Sequence, residues 1–407
     1  MSPREVAVTG VGLLTPVGVG REASWQGMLA GRSPAASDPV LAGLPVDFSC
    51  RLPDFDISGQ LGKGLKWRLD PFTAMAILAA REAVADAGLE TDDWEASRVG
   101  VVIGAGSASM ARYDMEYARL GAGRVSEISP LAITRSVPNM VAGEVGLALG
   151  ARGPNFSVST ACASGASALG IARDLVRAGT CDVVVAGGSE SVRARMAAAC
   201  FFRMGALSRR SSDPAAACRP FEKDRDGFVL SEGAGMLVLE RIEHARARRA
   251  RPRAYLGGYG ASCDAHHYAA PHPTGDGAAS AIRAALRDAG LAPADIQHIN
   301  AHGTATRLND KAEYEALRQV FSRPPAVTSL KGTIGHCMGG AGAIEAACTV
   351  LSLEHQQIPP TANLDHQDPE IDLDIVSKAP RPAPMRAALS NSFGFGGQNA
   401  VLLFHNG

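Results

Sequence analysis

Cys162 lies in Ser159-Thr160-Ala161-Cys162-Ala163-Ser164-Gly165, between a β-run, Asn155 to Val158, and a helical pattern, Ala166 to Ala178. That order places the thiol at a helix start, where unpaired amide donors and the helix dipole favour a thiolate. Small neighbours let a carbonyl approach the backbone, and the amide of Cys162 could supply half of an oxyanion hole. On these residues alone, a buried structural cysteine stays an open alternative. Cys50, Cys181, Cys200, Cys218, Cys263, Cys337 and Cys348 lack this setting and read as structural.

Two histidines keep comparable company. His302, in Asn300-Ala301-His302-Gly303-Thr304-Ala305-Thr306, follows a strand, Ile296 to Asn300, and falls in a turn where its ring can point into a cleft. His336 closes Lys331-Gly332-Thr333-Ile334-Gly335-His336 and precedes a small-residue helix that carries Glu345. Lys331 and Glu345 are spaced to form a charged pair near His336, against the alternative of an ordinary surface pair. Near the C-terminus, Asn391-Ser392-Phe393-Gly394-Phe395-Gly396-Gly397-Gln398-Asn399 offers glycine freedom and two rings able to close over an apolar channel. No Lys-Ser/Thr follows it, which argues against a phosphate-binding loop. His266, His267 and His272 lie close together, but no carboxylate or cysteine pattern supports a metal site there.

Positioning these groups needs strand-to-helix joints, and glycine clusters mark them: Thr9-Gly10-Val11-Gly12, Gly104-Ala105-Gly106, Ala186-Gly187-Gly188 and Phe395-Gly396-Gly397. Continuous apolar runs such as Val183-Val184-Val185 suit strands covered on both faces, and helical patterns such as Phe72 to Asp86 and Gly277 to Asp288 alternate with them. The class is α/β with parallel-rich sheets. An internal repeat spans half the chain. Asp86-Ala87-Gly88-Leu89 echoes Asp288-Ala289-Gly290-Leu291. Ala161 to Gly165 echoes His336 to Gly340, and Val185 to Ser189 echoes Leu389 to Phe393, in the same order. Two similar halves, 1–250 and 251–407, follow. A two-fold fold would bring Cys162 and His336, 174 positions apart (336 − 162), to a shared centre. The segment 189–232 has no counterpart and reads as an active-site wall or a dimer contact.

The composition excludes several roles. The chain has 407 residues, 46% hydrophobic, with 40 Lys+Arg against 41 Asp+Glu. A net charge of -1 provides no field for nucleic acid. The N-terminal residues do not read as a secretory signal, and no apolar run is long enough to span a membrane. Scattered cysteines fit a reducing, cytoplasmic setting.

Together these motifs resemble the elongating β-ketoacyl-acyl-carrier-protein synthases, including the type II polyketide ketosynthases, over nearly the whole chain. The resemblance rests on Val8 to Gly12, Thr160 to Gly165, Arg219-Pro220-Phe221 with Arg225 to Val229, Ala301 to Thr306, Lys331 to His336 and Phe393 to Gly397. It implies a thiolase fold, two pseudo-symmetric halves in an α-β-α-β-α five-layer arrangement, and a dimer. It implies that Cys162 takes an acyl group from a carrier protein, and that His302 and His336 hold a malonyl thioester as it loses CO2. Lys331 and Glu345 would organise the His336 side, Phe395 would gate the site, and amides of Cys162 and Phe395 would hold the oxyanion. Thr304 and Thr306 would meet the pantetheine arm, with Ser107, Phe201 and Phe393 also contacting substrate. No bound cofactor or metal is implied, because the 4′-phosphopantetheine arm arrives on the acyl carrier protein. Lys63, Lys66 and Arg68 form a small basic cluster suited to that partner. The dimer would form with itself or with a chain-length factor. Arg307 stands where the family usually has proline, Gly332-Thr333-Ile334 replaces a common Ser-Met, and Ser107 replaces an apolar residue. These departures leave room for fatty-acid, polyketide or polyene synthesis. Two rivals are a non-catalytic chain-length factor and a degradative thiolase using Cys337 as a second cysteine.

Overall fold

The structure, a computed structural model, describes residues 5–62, 68–107 and 109–407. The first half contributes β1 (Val6–Thr15), β2 (Val99–Gly104), β3 (Asn155–Val158), β4 (Val183–Ser191) and β5 (Glu232–Arg241). The second contributes β6 (Ala254–Cys263), β7 (His298–Asn300), β8 (Ala326–Thr328), β9 (Ala387–Gly394) and β10 (Gln398–His405). Their spatial orders, β3-β2-β4-β5-β1 and β8-β7-β9-β10-β6, are one order used twice. Directions repeat too. β2 runs parallel to β3 and β4, while β4–β5 and β5–β1 are antiparallel. In the same way β7 runs parallel to β8 and β9, while β9–β10 and β10–β6 are antiparallel. The sheets join through Ala7 opposite Tyr255 and Val8 opposite Ala254.

Six helices fill the layers: α1 (Pro71–Asp86), α2 (Asn139–Leu149), α3 (Ser164–Arg177), α4 (Asp276–Ala289), α5 (Arg307–Val320) and α6 (Ala341–His355). α3 and α6 pack on each other and on strands of both sheets, α1 and α2 cover the first sheet, and α4 with α5 beside it covers the second. This is the expected five-layer arrangement. α6 is buried on every side from Ala341 to Leu353, as a helix without a polar face must be. The Asp-Ala-Gly-Leu echo is a repeated helix stop. Gly88 and Gly290 take φ of 63° and 67°, and Leu89 and Leu291 donate back to Val84 and Leu286, closing both helices in the same cap.

A further pairing lies in the strands beside those helices. A Cβ on Gly10 or Gly12 of β1 would strike the carbonyls of Ala83 and Ala79 on α1. On Gly258 or Gly260 of β6 it would strike those of Ala285 and Ala281 on α4. Each outer helix therefore lies against bare strand backbone. Gly12→Val is expected to cost about 3 kcal/mol through overpacking, read as a lowered thermal midpoint, and Gly260→Val the same. An unchanged midpoint would show that the helices shift freely.

The repeat at the centre needs a corrected register. Ala161 and Met338 both take positive φ, 50° and 44°. Each opens a 3-10 turn, Ala161–Ala163 and Met338–Gly340, that runs into α3 and α6. The true offset is 177 residues (338 − 161), so the counterpart of Cys162 is Gly339, and His336 sits three residues before it. The segment 189–232 forms a wall of the central cavity through Met204, Gly205, Ala206, Asp226 and Phe228.

Candidate active site

Cys162 sits in the 3-10 turn ahead of α3 and is 6% exposed. The turn is pinned by Ser164, whose hydroxyl donates to Ala161 O at 2.6 Å and accepts from Thr160 N at 2.9 Å. The sulfur lies 3.7 Å from Met338 Sδ. Backbone amides of Phe395 and of Cys162 itself are directed at it. Burial pushes the thiol up to about 11, against the Lys331 charge and those amides, which favour the thiolate. The helix start is where the sequence placed it, but burial of the thiol outweighs the Lys331 charge and the two amides.

His302 follows β7 in a turn held from below. Its amide and that of Gly303 donate to Glu313 Oε1 and Oε2 at 2.9 and 2.8 Å, and Asn391 Nδ2 donates to Oε1 at 3.1 Å. The Lys331 ammonium, fully buried, donates to His302 O at 2.6 Å and to Nδ1 at 3.3 Å, and pairs with Glu345. A donor at Nδ1 fixes the neutral tautomer with its proton on Nε2. Lys331 thus touches His302 and reaches His336, the side the resemblance assigned to it, only through its charge. Burial raises Glu345 to about 7 against the attraction of Lys331.

His336 enters from the other side of the cleft. Its amide donates to Val229 O at 2.8 Å, and its ring meets Phe228 edge-on at 5.2 Å and His302 at 5.5 Å. It is 1% exposed and neither ring nitrogen has a partner among the described residues, so both face the cavity it lines with their hydrogen-bonding capacity unused. One atom from each of Cys162, His302 and His336 lies within 4.8 Å of the others. Burial, then the Lys331 charge, holds both imidazoles well below their ordinary value. The trio offers metal-type ligands, but the Lys331 ammonium on His302 opposes a cation there.

These groups line a cavity of about 610 Å³. Thr304 and Thr306 line its wall, their hydroxyls 2.9 Å apart, and Thr306 also caps α5. Phe395 occupies the turn between β9 and β10, where Gly396 and Gly397 take φ of 85° and 71°. Its ring lies 6.2 Å from Phe201, which stands edge-on to Phe228 at 5.6 Å. Phe393 lies 5.8 Å from the His302 ring. Ser107 is drawn aside, donating through its amide and hydroxyl to buried Glu190. Lys63 and Lys66 lie outside the described residues, and Arg68 is paired with Glu144 at 2.5 Å. His267 Nδ1 accepts from the amides of Ala269 and Ala270, so it serves its own loop. Cys337 packs into the core, its sulfur 3.7 Å from Gly233 O, so no second cysteine joins the cavity among the described residues.

Glu313, Phe228, Met338 and Glu190 were not singled out from the sequence. Glu313 sits eleven positions beyond His302 on a helix rich in charged residues, where an acid reads as solvated. Phe228 had a signal, because it lies inside the Arg225 to Val229 motif.

A cysteine before one central helix and two histidines from the other half, at the meeting point of two identically ordered sheets, define a condensing enzyme of the thiolase fold. The chain belongs to the β-ketoacyl synthase family. The family's N-terminal domain matches residues 3–245 and its C-terminal domain residues 253–365. It is 40% identical to the 3-oxoacyl-[acyl-carrier-protein] synthase 2 of Synechocystis, over 99% of this chain and 98% of that one. It is also 40% identical to the synthase of the same name from Staphylococcus aureus, over 98% of each. Among solved structures, the ishigamide ketosynthase/chain length factor superposes with a TM-score of 0.94 at 36% identity, covering 100% of both chains. A type II polyketide ketosynthase solved with its acyl-carrier protein superposes at 0.90, with 31% identity and 100% coverage of both.

Proposed function

We propose that the protein is a β-ketoacyl-acyl-carrier-protein synthase that extends an acyl chain by decarboxylative condensation, with Cys162, His302 and His336 as its catalytic residues. The convergence of one sulfur and two imidazoles within 4.8 Å carries this reading. In the first stage the Cys162 sulfur attacks the thioester of an acyl group borne on a carrier protein. The oxyanion is held by the amides of Cys162 and Phe395, and the thiol proton leaves on the departing pantetheine sulfur. In the second, a malonyl thioester places its carbonyl oxygen between the Nε2–H of His302 and His336. Loss of CO2 leaves an enolate there, whose carbon attacks the acyl-Cys162 carbonyl. That attack forms the new C–C bond, and collapse of the tetrahedral adduct restores the carbonyl and expels the Cys162 thiolate, which takes a proton from solvent. Phe395 and its two glycines gate the entry of the acyl group. The phosphopantetheine arm belongs to the carrier, which is the partner in both stages. Pairing with a second ketosynthase-like chain, its own copy or a chain-length factor, completes the reading, in a cytoplasmic setting.

The test is CO2 release coupled to β-ketoacyl product from hexanoyl- and malonyl-carrier protein. Imidazoles held well below their ordinary value stay neutral through mild acid. In Glu345→Gln, which removes a neighbouring carboxyl raised to about 7, CO2 release is therefore expected to be flat from roughly pH 8 to 6. An acid limb centred near about 6.5, the free-histidine value, would contradict neutral donors, and absence of product would refute the assignment.

A further inference from the structure

The cavity has one reactive end and one open end. Cys162, His302 and His336 form the buried end, and Thr304 and Thr306 line the wall towards an exposed rim at Arg307 and Leu308. Arg307 is the one lysine or arginine lining the cavity among the described residues. The other charged groups there are already engaged. Asp226 accepts from Ser208 Oγ and Arg209 N, and Asp264 from Asn399 Nδ2 and His272 N. Glu313 holds the His302 turn. The Arg307 side chain forms no ion pair or hydrogen bond among the described residues; only its carbonyl is used, by Arg225. It begins α5, whose first-turn amides add positive potential at the same point. At the other end of the same cavity, the buried His336 nitrogens, unpartnered among the described residues, mark the point that a ligand entering from the rim must reach.

We propose that Arg307 is an anion-recognition residue for the phosphate of the incoming phosphopantetheine thioester, selecting substrates whose arm carries that phosphate. The proposal rests on the ketosynthase reading, because it is the thioester at Cys162 that directs the other end of the arm to the rim. A guanidinium suits this role, because it presents several donors to phosphate oxygens at once and stays charged.

The experiment follows acylation of Cys162 by intact-protein and peptide mass spectrometry, with hexanoyl-pantetheine and hexanoyl-4′-phosphopantetheine as donors. The wild type is expected to prefer the phosphorylated donor roughly tenfold in kcat/KM, mostly through KM, with the preference shrinking as salt rises. Arg307→Gln should lose that preference by slowing only the phosphorylated donor, and Arg307→Lys should keep part of it. Hexanoyl-carrier protein and hexanoyl-CoA run in parallel show which source of the phosphate Arg307 serves, by which of them slows. No preference in the wild type, or the same preference in Arg307→Gln while Cys162 is still acylated, overturns the Arg307 assignment alone. Acylation mapping to another cysteine overturns the ketosynthase reading itself.

Discussion

Cys162→Ala is expected to form no acyl-enzyme and to lower condensation by about 10⁴-fold or more, while malonyl decarboxylation persists. The two outcomes separate because two groups of donors serve two stages. The acyl carbonyl can be captured only by the Cys162 sulfur, and no second thiol lines the cavity among the described residues. In the proposed reaction the enolate is held by His302 and His336, whose positions are fixed by Glu313, Lys331 and the Val229 carbonyl, none of which depends on the sulfur. Alanine also removes the buried thiol without adding volume, so Met338 and the two inward amides keep their places. Intact-protein mass spectrometry reads the first outcome and CO2 release the second. A hexanoyl adduct on the variant would defeat the role of Cys162. Loss of decarboxylation alongside acylation would mean that the sulfur also shapes the malonyl site.

The sequence made the trio legible because each member sits in a run of small residues at a strand end or before a helix, where a side chain faces a cleft. The repeat supplied the reason to connect them, yet its central echo is two residues out of register. Small-residue helices align almost equally well at neighbouring offsets. The backbone settles the matter, since Ala161 and Met338 share a left-handed conformation that composition does not record. The glycine pairs Gly10/Gly12 and Gly258/Gly260 are a sharper repeat, but their meaning lies in a helix carbonyl pressed against each, which appears only once the layers are assembled. Acids proved the hardest to read. Glu313 and Glu190 look like surface residues in a chain with 41 acids, and only folding turns the amides of His302, Gly303, Gly106 and Ser107 towards them. The thiol shows the converse. A helix start was visible, but the burial that opposes it is a property of the whole cavity.

Lys331→Met is expected to cost about 3–5 kcal/mol of stability, the usual penalty for breaking a buried ion pair, and to lower condensation by about 10²- to 10³-fold. The stability loss follows from what is left behind. Glu345 keeps a fully desolvated carboxyl with one oxygen already unpartnered among the described residues, and the His302 carbonyl and Nδ1 lose their donor. Glu345, already raised to about 7 with its partner present, then takes up a proton at neutral pH, and the imidazole is free to place its proton on Nδ1. The catalytic loss comes from that second change, because an Nε2 without hydrogen cannot hold an enolate. The double variant Lys331→Met with Glu345→Leu distinguishes the two effects. Replacing both members of a buried pair with apolar groups is often close to neutral, so the thermal midpoint should recover most of its value while CO2 release stays low. Recovery of CO2 release in the double variant would reduce Lys331 to a structural cation. Failure of both to recover would place its main contribution in the hydrogen bond to the His302 carbonyl, which no apolar pair can replace.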